Sequence, residues 1–332
     1  MSDQPLALLI AGPTASGKSA LALGLGQDLG GTVINADSMQ VYAGLRVLTA
    51  QPSDKEMALL PHRLYGERDP AVAASVAWWR GRVLEEMKAA RAEGRLPILC
   101  GGTGLYFRSL TDGIAEIPPI PPEAREEARD LLAAEGAAAL HARLAAADPA
   151  SAARLRSSDS QRLARAWEVW RGTGRGIASW QGAGSTGPAR LDGVPWRFVA
   201  IRLDPPREAL REAIGLRWDA MLRGGAEDEV RALLARRLDP ALPAMRAHGV
   251  PELSAALRGE MGAEEAGRRA CSAIGQYTKR QATWYRHRSL ADAARTHTIH
   301  ARIASQKQYS ESHRAEILSF LRSIVDGTLP GA

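Results

Sequence analysis

Apolar residues gather along this chain in short dense runs separated by longer stretches of mixed polarity. Leu6–Ala11, Thr32–Asn35 and Leu96–Cys100 are such runs in the N-terminal third. Segments this short and this apolar predict strands covered on both faces, because a half-exposed strand alternates. Between them, Ser19–Leu29 and Ala71–Ala92 have the spacing of helices, and Gly30-Gly31 and Gly94 end them. Strand and helix in alternation predict an α/β fold, a parallel sheet flanked by helices.

The pattern changes at Ile117–Pro122, whose prolines predict a stiff extended connector. Glu123–Arg171 is rich in Ala, Arg and Leu and predicts several short helices, broken at Pro149. Gly172–Pro195 carries repeated Gly with Ser and Thr and predicts a flexible loop. Strand pattern returns at Trp196–Leu203, followed by an amphipathic helix over Pro206–Arg223. The rest is mainly helical, and the tail after Ser305 predicts one amphipathic helix. The expected organisation is therefore an α/β core formed by 1–117 and 196–332, with 118–195 as a mainly helical insertion.

Composition narrows the class. The 332 residues are 45% hydrophobic and 24% charged, as in ordinary globular proteins. Two cysteines, Cys100 and Cys271, give no disulfide framework and suit a reducing cytoplasm. No stretch approaches the roughly 18 continuous apolar residues of a membrane span, and no secretory signal is expected. The net charge of +6 hints at a polyanionic partner.

The strongest chemical signal follows the first strand. Gly12-Pro13-Thr14-Ala15-Ser16-Gly17-Lys18-Ser19 has the spacing of a phosphate-binding loop between strand and helix. Its glycines let successive backbone N–H groups turn inward around phosphate oxygens. Lys18 adds a cation, Ser19 a hydroxyl for Mg²⁺, and the helix its positive dipole end. The loop therefore predicts a di- or triphosphate ligand.

Three further segments bear on chemistry. Asp37, just past the second strand, could cap a helix, bind metal or take a proton beside the phosphate loop. After Leu96–Cys100 comes Gly101-Gly102-Thr103-Gly104, with no carboxylate where a nucleotide hydrolase would place a metal ligand. From Ala266 through Ala291 there is no acidic residue, while Arg268, Arg269, Lys279, Arg280, Arg286 and Arg288 interleave with Tyr277, Trp284 and Tyr285. Tyr277, Arg280, Gln281 and Trp284 share a helical face. Arginine with aromatics suits RNA backbones and unstacked bases, although such runs are also common on plain solvated surfaces. Gln161-Arg162-Leu163-Ala164-Arg165 is a second basic segment.

GPTASGKS, DSMQVY, GGTGLY, RWDAMLRGGAEDEV (Arg217–Val230) and KRQATWYRHR (Lys279–Arg288), in this order, resemble the tRNA dimethylallyltransferases. That resemblance implies a P-loop core with a helical insertion. It implies transfer of a dimethylallyl group from dimethylallyl diphosphate to N6 of the adenosine next to the anticodon of tRNA. It further implies Asp37 as general base, Lys18 and Arg217 as grips on the diphosphate, and Thr103 as a contact to the tRNA near the target base. Other tRNA contacts are implied at Asp37, Ser38, Met39 and Gln40, at Arg125, at Gln161 to Arg165 and at Arg280. The expected cofactor is Mg²⁺, and a monomer is expected because no extended apolar heptad is present. The chain departs from the common family pattern at Gln51-Pro52-Ser53, Leu60–Gly66, Asp159–Arg162 and Ala247–Glu252. A small-molecule kinase or an RNA-binding nucleotide switch would share the phosphate loop. Label transfer from dimethylallyl diphosphate to unmodified tRNA separates the three.

Overall fold

The computed structural model of the chain describes residues 4–325. Its strands are β1 (Leu6–Ala11), β2 (Gly31–Asn35), β3 (His62–Arg63), β4 (Leu96–Gly101), β5 (Arg190–Leu191), β6 (Val194–Pro195), β7 (Arg197–Leu203) and β8 (Thr296–Ile299). All but β5 and β6 build one sheet in the order β3-β2-β4-β1-β7-β8, and every pairing in it is parallel. The helices are α1 (Lys18–Leu29), α2 (Asp54–Leu59), α3 (Val76–Ala92), α4 (Gly104–Thr111), α5 (Pro122–Ala147), α6 (Pro149–Ala152) and α7 (Ser160–Thr173). They continue as α8 (Ile177–Gly182), α9 (Arg207–Arg223), α10 (Ala226–Ala235), α11 (Val250–Leu257), α12 (Ala263–His287), α13 (Gln306–Ser312) and α14 (Arg314–Val325). Among the described residues no helix is long and apolar enough to cross a membrane.

The chain divides into two compact units, Asp112–Pro188 and the remainder. In the larger unit, alternate residues of each central strand serve opposite cores. Leu8, Ile10, Ile98, Cys100, Val199 and Ile201 face α1, α13 and α14 through Leu21, Leu25, Tyr309 and Ile317. Ala7, Leu9, Leu99 and Ala200 face the other way, toward Trp79, Phe107, Ile214, Trp218, Val230, Ile274 and Tyr285. Both faces are covered, which is why these strands read as apolar runs.

The smaller unit has its own core, where α5 lies along α7 through Ala128, Leu140, Leu144, Leu163, Ala166 and Trp167. A single break expected at Pro149 is accompanied by a kink within α5 at Gly136, whose φ is 81°. The proline segment is not a free spacer. Ile117 and Ile120 pack with Ala124, Val169, Ile177 and Trp180.

The structural division falls at 112 and 188 instead of 118 and 195. The proline segment belongs to the core of the smaller unit, and the Ala189 N–H donates to Leu110 O at 2.7 Å within the larger one. The outer residues 1–3 and 326–332 of the expected core lie outside the described residues. The segment 172–195, expected as a loop, contains α8 and the β5–β6 hairpin. Asp192 and Gly193 both have positive φ, 49° and 85°. They form the two-residue turn that the dipeptide Asp-Gly favours. The tail contains two helices, α13 and α14. Helix α3 starts at Val76 and not at Ala71, because Ser75 caps it by accepting from the Trp78 N–H.

Candidate active site

Strand β4 lies between β2 and β1, and all three run the same way. The loops leaving their carboxyl ends are therefore neighbours: Gly12–Gly17 after β1, Asp37–Gln40 after β2, and Gly102-Thr103 after β4. Ligands of parallel sheets collect along this edge.

The phosphate loop turns into α1 at Gly17, whose φ is 96°. A Cβ there would overlap the Ile303 carbonyl, so only glycine fits. The loop is held from outside: the Ile303 N–H donates to Ser16 O at 3.1 Å, and Arg302 Nε donates to Ala15 O at 3.1 Å. Ala15 itself has φ 66°. Lys18 Nζ folds back to donate to Pro13 O at 2.8 Å. Burial pulls the Lys18 ammonium down to about 8; Cys100 and Asp37 oppose the shift and Arg217 adds to it. Ser16 Oγ is buried without a partner, and Ser19 is exposed.

One expectation needs correcting. Thr14 does not offer a free amide to a ligand, since its N–H and Oγ1 both donate to Gln281 Oε1, at 2.8 and 3.0 Å.

Asp37 is not a helix cap. Its Oδ1 accepts from the Met39 N–H at 2.9 Å, closing a side-chain turn. Its backbone is fixed by Asn35, whose Oδ1 accepts from the Asp37 N–H and whose Nδ2 donates to Asp37 O and Leu64 O. Oδ2 thus remains for a further partner. Ser38 N–H donates to Thr103 Oγ1 at 2.9 Å, tying the second loop to the third. Met39 packs on the core. Gln40 is spent inside the protein: its Nε2 donates to Thr49 O and Ala50 O. Beyond it Val41, Tyr42 and Leu45 are fully buried, anchoring the loop.

Arg217, on α9, reaches the same place. It donates to Thr49 O at 3.3 Å, and burial lowers its pKa while Asp37 opposes the shift. Lys18, Asp37, Thr103 and Arg217 are thereby brought together. Sequence reasoning missed the residues that support them. Glu229 accepts from the Val47 and Leu48 N–H groups, and Gln51 donates to Tyr42 O. His248 packs its ring on Tyr277 at 4.8 Å between centroids, and burial lowers its pKa. Asn35, a polar residue closing an apolar strand, was the one readable signal.

Helix α12 separates its basic and polar residues. Gln281 and Tyr285 are buried, and Trp284 packs against Gly104. Gln281 and Tyr285 face inward while Arg280 is exposed, so the face shared by Tyr277, Arg280, Gln281 and Trp284 is divided between the protein interior and the surface. Arg268 and Arg269 are paired with Glu264 and Glu265 of the helix's own first turn. The acid-free stretch is neutralised at its start by residues just before it. Lys279 and Arg280 remain exposed, and with Gln276, Thr283 and Trp284 they line a groove of about 480 Å³. Arg280 lies over the Tyr277 ring at 5.6 Å.

The other expected tRNA contacts lie in the smaller unit. Arg125 on α5 and Gln161 and Arg162 on α7 are exposed. Arg162 pairs with Asp159, and Arg165 with Glu168. Leu163 is fully buried, so its side chain cannot act as a contact, and Ala164 is partly buried against the same core.

Over residues 40–288 the sequence matches the family described as IPP transferase, and over residues 6–73 that described as isopentenyl transferase. A tRNA dimethylallyltransferase of Granulibacter bethesdensis is 57% identical over 317 residues, which cover 96% of this chain and 98% of that protein. Among solved structures, the full-length tRNA isopentenylpyrophosphate transferase from Bacillus halodurans is 29% identical, with TM-score 0.66, covering 98% of this chain and all of that one (100%). A eukaryotic dimethylallyltransferase acting on tRNA shares the fold at TM-score 0.77 and 21% identity, over 97% of this chain and 80% of that one. A match spanning most of the chain, and a relative this similar over nearly its full length, establish that the chain belongs to the IPP transferase family.

Proposed function

We propose that the chain transfers a dimethylallyl group from dimethylallyl diphosphate to N6 of the adenosine 3′-adjacent to the anticodon in tRNA. The observation that carries this reading is the convergence of Lys18, Arg217, Thr103 and Asp37 at the carboxyl ends of β1, β4 and β2. Two cations beside a phosphate loop suit a diphosphate leaving group. A carboxylate with one unengaged oxygen suits a proton acceptor.

In the reaction, the C1–O bond of the allylic diphosphate breaks as N6 bonds to C1, and the N6 proton passes to Asp37. Adenine N6 is a weak nucleophile because its lone pair is delocalised into the ring, so loss of this proton matters. Lys18 and Arg217 bind charge that grows on the departing oxygen. Removing one preorganised group of this kind typically costs about 3–4 kcal/mol in barrier. Thr103 holds the Ser38 amide beside Asp37, next to where the extruded base would lie.

The residues also fit Mg²⁺ brought in with the diphosphate. Ser19 offers an exposed hydroxyl at the start of α1, and among the described residues no group of three or more His, Cys, Asp or Glu forms a protein-only metal site. Mg²⁺ keeps water and phosphate oxygens as ligands, and the Ser19 hydroxyl would add one from the protein. When bound, the ion would neutralise charge on the leaving diphosphate. The enzyme would act as a monomer in the cytoplasm, where its tRNA substrate is found. Adenosine triphosphate would be a competitor for the phosphate loop and not a substrate.

The test uses purified protein, unmodified tRNA and radiolabelled dimethylallyl diphosphate. Label should enter tRNA, and Asp37→Asn should lower transfer at least about 10²-fold while tRNA affinity stays within about tenfold. Asparagine keeps an oxygen for the Met39 amide, so the loop survives. Near-normal turnover by Asp37→Asn would remove it from the base role, and ATP consumption without label transfer would point to a kinase.

A further inference from the structure

Gln281 has both ends of its side-chain amide engaged at the candidate site. It lies on α12, yet only 5% of it is exposed. Its Oε1 accepts from both the N–H and the hydroxyl of Thr14, in the phosphate loop. Its Nε2 donates to Gly102 O at 2.9 Å, in the loop that also carries Thr103. The reverse orientation would set an NH₂ against the Thr14 N–H and one carbonyl against another, so these partners fix the amide. A Cβ on Gly102 would strike Gln281 Nε2, which shows how closely the two are fitted.

We infer that Gln281 is a positioning residue that sets the spacing between the leaving-group loop and the loop that receives the acceptor base. This rests on the proposed prenyl transfer. The diphosphate binds along Gly12–Ser19, and the acceptor amine approaches Asp37 and Thr103. Among the described residues, Gln281 is the one side chain with hydrogen bonds to both loops. It touches no reacting atom, and its effect passes through Thr14 and Gly102. Nucleophile and electrophile must meet within about 3–3.5 Å, and a displacement of about 1 Å can cost roughly 10²-fold. Arg280, the neighbouring residue, points outward into the basic groove, so one stretch of α12 contacts solvent and clamps the donor loop together.

The experiment compares Gln281→Glu and Gln281→Met with the wild type across pH, reading transfer of label to tRNA and the tRNA dissociation constant. A protonated glutamic acid can donate to Gly102 O as the amide does; an ionised one cannot. Transfer by Gln281→Glu, expressed relative to wild type at each pH, should therefore rise about tenfold or more as pH falls through the carboxyl titration. Gln281→Met should remain about 10²-fold low throughout, with tRNA affinity within about twofold of wild type.

A flat Gln281→Glu ratio, or near-normal transfer by Gln281→Met, would overturn the inference. If Gln281→Met fails to fold, amide exchange in the wild type decides. The Thr14 N–H should be protected without ligand, and exchange at the free-peptide rate would overturn the clamp. Failure of the wild type itself to transfer label would instead overturn the underlying reaction.

Discussion

Lys18 shows how a single residue is conditioned by its surroundings. Burial drives its ammonium down to about 8, and in the free protein it rests on the Pro13 carbonyl. A diphosphate would restore the charge by offering a stronger partner, so the pKa rises on binding. The sign follows. Below about pH 8 the cation is present before binding and affinity is at its plateau. Above it, each pH unit costs up to about tenfold, until the bound-state pKa is reached. Removing the charge should cost about 2–5 kcal/mol at neutral pH. Titration of inorganic pyrophosphate into wild type and Lys18→Met should show a wide affinity gap at pH 7 that narrows above pH 8. A gap constant from pH 7 to 9.5 would mean that the lysine is fully charged throughout. Using the gap removes the ligand's own ionisation, which is common to both proteins.

At the level of the element, α12 separates two kinds of arginine. Arg268 is already neutralised by Glu264 and Glu265, whereas Arg280 lies exposed beside Lys279 in the groove. Arg280→Ala should weaken tRNA binding and reduce the slope of log affinity against log salt by about one. Arg268→Ala should leave both nearly unchanged. Equal effects from the two would mean that the whole helix acts as a diffuse basic surface.

The contrast also marks what the sequence can tell. The limits of β1 and nearly those of α1 were legible, because an apolar run ends in a glycine turn with a lysine and serine that have a chemical reason to be there. The position of Asp37 and Thr103 just past strand ends was legible from the motifs that carry them. The direction in which Gln281 points was not. Helical spacing groups it with Tyr277 and Trp284, but it does not say which side of the helix meets the protein. That is decided by Thr14 and Gly102, 267 and 179 residues away in the chain. Leu163 failed for a simpler reason: a motif quoted as a run of contacts includes the residue that holds the helix to its own core.

For the whole molecule, the two compact units allow their contributions to be tested separately. Both cores of the larger unit are assembled from its own residues, and Leu110 O accepts the Ala189 N–H, so the points where the smaller unit leaves and rejoins are adjacent. A short glycine linker from Thr111 to Ala189 should therefore yield a protein that melts cooperatively. It should bind pyrophosphate within about threefold of the full chain, since the loop, Lys18 and Arg217 are retained. Arg125, Gln161, Arg162 and Arg165 are lost with the excised unit. If two of them contact phosphates, the salt slope of tRNA binding should fall by about 1.4–1.8, at 0.7–0.9 per contact. Transfer should drop further than affinity does, because fewer contacts remain to offset the few kcal/mol needed to extrude a stacked base. Retention of full tRNA affinity with an unchanged slope would place RNA recognition wholly on α12 and the strand-end loops. Loss of pyrophosphate binding in a well-folded excised protein would show that the donor site is completed by the part removed.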